Sequence, residues 1–155
     1  MENVILDMEQ LEDRLRYWQG RLGLRDWGIE IVMQRAYDLG DYWGKIHISE
    51  DKRRARIRIM DPIDLSPDAI APYDMEQIVI HELLHIHLYP LTKAEDSIPE
   101  EQAIEAISWA LLTMERRADE MENFYEEELA KRRTPLMLPS VTHIRYTSDP
   151  EGGPL

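Results

Sequence analysis

The stretch that most limits how this 155-residue chain can fold is DMEQIVIHELLHIHLYP, residues 74–90. Ile78, Val79, Ile80, Leu83, Ile86 and Leu88 leave it apolar on several sides, so as a helix it has to be wrapped by the rest of the chain. Asp74 suits the N-cap, Gln77 stands where a capping box needs it, and Glu76 suits the positive end of the helix dipole. Pro90 is expected to stop the helix, because the residue before a proline is pushed out of the helical region. Within these ends lies His81-Glu82-Leu83-Leu84-His85. At about 100° per residue the two imidazoles sit roughly 40° apart on one face, one turn above the other, so both can reach one metal ion. Glu82 lies about 100° round from His81, where it need not ligate but can touch a water beside the metal.

The remaining composition fits one domain of ordinary size with its own core, to which four Trp and seven Tyr contribute. The absence of cysteine removes disulfides, thiolate zinc sites and a thiol nucleophile. A formal charge of −13 argues against non-specific nucleic-acid binding. The N-terminus MENVILDMEQ lacks the basic start and long apolar run of a signal peptide, and no apolar stretch is long enough for a membrane span. A soluble cytoplasmic protein is expected, in a host cell's cytoplasm if the chain is phage-encoded.

Taken in order, Met8, Leu11, Leu15, Trp18 and Leu22 recur at helical spacing and predict an amphipathic helix that packs on a sheet, broken at Gly23. The period then becomes two. Trp27–Met33, Trp43–Ile48 and Arg54–Ile59 read as strands, the last two as an antiparallel hairpin around Ser49–Lys52. Lys52, Arg53, Arg54, Arg56 and Arg58 form the one basic run, read as a solvated sheet face paired with Glu30, Glu50 and Asp51. His47 is expected on that polar face. A proline-rich loop, 61–73, leads to the central helix. A second capping box, Ser97 with Glu100, opens a last helix running to about Arg133, with Ile104, Ile107, Leu111 and Met114 as its inward stripe. Residues 134–155 read as a proline-rich tail, docked in part through Leu136, Leu138 and Tyr146 and otherwise disordered, so the expected domain is 1–133. The fold class is α+β: an N-terminal helix, a small three-stranded and mainly antiparallel sheet, the central helix, and a long C-terminal helix.

A catalytic zinc site needs a third protein ligand. Glu101, sixteen residues after His85 on the first turn of the last helix, is the best placed. Glu105, one turn on, can accept a hydrogen bond from the free ring nitrogen of a ligating histidine. Glu100 is turned about 100° from Glu101 and His87 about 200° from His85, while His143 belongs to the tail. His81-Glu82-Leu83-Leu84-His85 followed by Glu101-Gln102-Ala103-Ile104-Glu105 resembles the gluzincin branch of zinc metallopeptidases. The helix, strands and helix around the motif resemble the small SprT-like and ImmA/IrrE-like minimal zincins of phages and mobile elements. This chain has Leu84 where ImmA-type motifs usually carry glycine, and it lacks the third histidine and cysteine ribbon usual in SprT-type proteins.

The resemblance implies a zinc metalloendopeptidase in which His81, His85 and Glu101 hold Zn2+, Glu105 supports a ligand, and Glu82 is the general base acting on a zinc-bound water. Its substrate would be a protein or peptide laid along an exposed sheet edge, with His87, Tyr89, His143 or Tyr146 available to stabilise the oxyanion. The alternative is a catalytically inactive, metal-containing regulatory or protein-binding module of a phage or mobile element. Neither reading assigns a membrane role, and the oligomeric state stays open.

Overall fold

The computed structural model describes residues 2–40, 42–92 and 98–133. The fold is α+β, with element order α1 (Met8–Arg21), β1 (Gly28–Gln34), α2 (Ala36–Leu39), β2 (Gly44–Ser49), β3 (Arg54–Met60), α3 (Met75–Thr92) and α4 (Ile98–Arg133). Two compact units divide within α4. One is Met1–Asp119; the other is Glu120–Leu155, helical over its described part, Glu120–Arg133. Among the described residues no helix is long and apolar enough to cross a membrane. The tail with Leu136, Leu138, His143 and Tyr146, and the Ser97 cap, lie outside the described residues.

A capping box made by Asp7 and Gln10 starts α1, and Gly23 follows its C-cap at φ 72°, a left-handed conformation that favours glycine. Leu11, Leu15 and Trp18 are buried. They pack on α3 as well as on the sheet, and the Trp18 indole donates to Glu76 Oε1 at 2.8 Å.

Strand order is β1-β3-β2, with β2 antiparallel and β1 parallel to β3. The sheet is therefore mixed rather than mainly antiparallel. Alternation assigns faces but not neighbours, and here the β2–β3 hairpin leaves the far edge of β3 free for β1. Register on the inner face matches Ile31 with Ile57 and Met33 with Ile59, and Ile57 and Ile59 are fully buried. The other face carries the arginines.

The central helix has its inner surface in the core on several sides: Met75, Ile78, Val79, Ile80, Leu83, Leu84 and Ile86 are all buried. Asp74 caps it, accepting from Gln77 N at 3.1 Å, but the Gln77 side chain does not reach back to close a capping box. It donates instead to Ser108 Oγ and Glu105 Oε2 on α4. Pro90 does not stop α3, which continues to Thr92. A proline so near the end removes one hydrogen bond from an already exposed last turn, which two further residues can tolerate.

The buried row of α4 is Ile104, Ser108 and Leu112; of the expected stripe Ile104 is buried and Leu111 packs partly buried against the core, while Ile107 and Met114 are 45% and 70% exposed. The row is rotated because a polar residue belongs in it. Ser108 is fully buried with its hydroxyl accepting from Gln77 and donating to the Glu105 carbonyl. Arg116 completes the seam by pairing with Asp74 at 2.8 and 3.2 Å and with Glu76 at 3.4 Å, two carboxylates only 3% and 8% exposed. Arg116→Ala leaves the first largely desolvated, though Arg14 and Trp18 still reach the second. Urea unfolding of that variant is expected to show a loss of about 1–3 kcal/mol, with an unchanged m-value.

Candidate metal centre

His81 and His85 project from one face of α3 with ring centroids 5.1 Å apart. The seam with α4 carries Glu101 and Glu105 to the same place. His81 Nε2 lies 3.2 Å from Glu101 Oε2, and His85 Nε2 lies 3.4 Å from Glu101 Oε1. One nitrogen from each ring and one oxygen of Glu101 all fall within 4.8 Å of one another. Metal–ligand bonds of about 2.0–2.2 Å set ligands roughly 3.4 Å apart around a tetrahedral zinc, so these separations fit such an ion. Two imidazoles and a carboxylate are also a donor set that zinc accepts, and the side chains of His81 and His85 are only 16% and 19% exposed.

The second ring nitrogen of His81 is served as well. Nδ1 lies 3.1 Å from Glu105 Oε2, and a proton on Nδ1 donated to that oxygen leaves the Nε2 lone pair directed at the cluster. Glu105 is itself held by two further donors, Gln77 Nε2 at 3.0 Å on Oε2 and Trp109 Nε1 at 2.8 Å on Oε1. His85 Nδ1 faces Glu100 Oε1 at 3.9 Å, beyond direct hydrogen-bond reach. Glu100 stands beside the cluster, with a side chain 12% exposed. His87 points elsewhere, donating from Nε2 to the Leu22 carbonyl at 2.8 Å. Tyr89 is 40% exposed.

Glu82 leaves α3 in another direction and is 5% exposed. Burial, and secondarily the negative charge of Glu101, pushes its carboxyl up to about 8. The first residue of β2 is pressed against it. A Cβ on Gly44 would lie 2.4 Å from Ile78 Cγ2 and 2.5 Å from Glu82 Oε1, so only glycine lets the strand approach so closely. Gly44, Gln77, Ser108 and Trp109 are the participants that the motif spacing did not reveal. A glycine inside an alternating strand was the one available signal.

Two outcomes follow for the metal-free protein. Glu82 binds its proton more tightly folded than unfolded, so its stabilising contribution is complete below about pH 4.5 and is lost as pH rises through about 8. Chemical denaturation across that window should lose a few kcal/mol, at about 1.4 per pKa unit, and Glu82→Gln should remove that part of the slope. Gly44→Ala should destabilise by about 1–3 kcal/mol in the same assay through overpacking against Ile78 and Glu82. No family model matches the chain, and comparison with curated proteins and with solved structures likewise returns no match.

Proposed function

We propose that this chain is a zinc-dependent metallopeptidase in which His81, His85 and Glu101 hold the metal and Glu82 is the general base. The observation that carries the reading is the pairing of a three-donor cluster with a buried carboxylate from the same helix turn. A site that only bound metal for structure would have no use for a desolvated carboxyl beside it.

When bound, zinc would lower the pKa of a water and polarise a substrate carbonyl. The chain's own residues do the rest. Glu82 takes the proton from the attacking water and delivers it to the departing amine nitrogen, and its raised pKa suits a group that must do both. Glu105 keeps the His81 proton on Nδ1, so that Nε2 stays available as a donor. The backbone of β2 excludes water from one side of Glu82 through Gly44. Because β2 is an edge strand, an extended peptide can add to it antiparallel and run past the base.

The role split is tested with two variants. Glu82→Gln should bind zinc as the parent does in a competition titration and lose about 100-fold or more of peptide hydrolysis. Glu101→Ala should lose zinc affinity by about tenfold or more, and activity with it. Zinc binding by the parent without cleavage of any denatured protein or peptide pool would instead assign a metal-holding module without turnover.

A further inference from the structure

One face of the sheet packs on the helices; the other is exposed at Glu30, Lys45, His47, Arg54 and Arg56 and closes toward Met60, which is buried. Its register sets three cationic rows. Arg54 lies opposite Gly28 and Ser49, Arg56 opposite Glu30 and His47, and Arg58 opposite Val32 and Lys45. Arg56 has a partner in Glu30, and Lys45 stands 5.1 Å over the Tyr42 ring. Among the described residues no carboxylate pairs with Arg54 or Arg58. The expected neutralisation of this face by acidic neighbours is thus made at Arg56 alone, and Arg53 pairs off to the side with Asp26.

Two buried polar atoms on this face have no partner among the described residues: the donor Arg58 Nε and the acceptor Gln34 Oε1. Both side chains line one shallow cavity of about 740 Å3, together with Arg54, Arg56 and His47. Its floor is open at Gly28, where a Cβ would have only the Arg54 side chain at 3.6 Å and the Arg53 carbonyl at 4.0 Å for neighbours.

We propose that this face docks an extended acidic segment of a partner polypeptide. Alternate side chains on a strand recur every 6.6–6.8 Å or so, and those of an extended peptide share that period. Carboxylates at every second position of the segment then come into register with Arg54 and Arg58, each able to take a paired N–H contact from a guanidinium. Size agrees. Three strands about 4.8 Å apart, of seven, six and seven residues, make a platform for roughly six or seven extended residues, whereas a long nucleic acid would run on over a chain of net charge −13. Screening within about 10 Å confines that repulsion to the surrounding surface, where it orients the segment onto this cationic face. The inference is independent of metal binding, because α3 packs against the opposite face of the sheet.

Fluorescence anisotropy with a labelled peptide of about ten residues alternating Glu and Thr tests it on the full chain at about 50 mM salt, against the matching Gln/Thr peptide and an oligothymidylate of about ten nucleotides. Saturable binding of the acidic peptide is expected, with little for the other two. Arg54→Glu, an exposed change, should weaken it about threefold or more, and Arg54→Glu/Arg58→Glu about tenfold or more. No saturable binding, equal binding by the double variant, or tighter binding of the oligothymidylate would overturn the proposal, the last by assigning the face to nucleic acid.

Discussion

Donor atoms on two helices can converge only if the helices meet in one register, and here a buried polar seam sets it. Gln77 reaches Ser108 and Glu105, and Arg116 reaches Asp74 and Glu76. Apolar packing alone, as between Ile104 or Leu112 and α3, tolerates some sliding, since contact energy changes slowly with small shifts. Hydrogen bonds to buried groups do not, because displacement leaves a desolvated donor or acceptor unpaired. The same seam that orders α4 therefore brings Glu101 within 3.2–3.4 Å of both imidazoles, and one of its members, Gln77, also holds Glu105.

Glu82 stands under a different constraint. Burying a carboxylate without a cation is costly, and the group answers by keeping its proton to about pH 8. The surroundings tighten rather than relieve that cost, because β2 arrives at Gly44 with no side chain and closes against Oε1. A residue that served only the fold would be better replaced by an apolar one of similar volume. That it is a carboxylate is understandable if its proton has to move.

Much of this was legible before any coordinates. The two histidines and Glu82 follow from helical geometry alone, and Glu101 and Glu105 follow from asking which carboxylates a returning helix would present. Those inferences concern residues whose chemistry is unusual for their position. The parts that escaped are set by neighbours instead. Strand order depends on which edge of β3 is left free, the Gln77 side chain prefers partners on another helix to its own cap, and the inward row of α4 turns to admit Ser108. Pro90 stayed within α3 because a rule about helix interiors has little force in a last exposed turn.

The distribution of charge ties these features together. Glu100, Glu101 and Glu105 gather around two imidazoles, and the negative charge of Glu101 adds to burial in holding the proton on Glu82. A divalent ion held among them would offset that negative charge and, if it bound the folded chain alone, would add to its stability in proportion to the logarithm of its concentration over its dissociation constant. Protons compete for the same nitrogen lone pairs, so a metal bound there would be released by acid as the rings become charged. If the cluster holds a metal as proposed, its occupancy, the helix register and the ionisation of Glu82 form one linked equilibrium. A change at the seam, which reaches His81 through Gln77 and Glu105, would then be felt at Glu82 on the same helix.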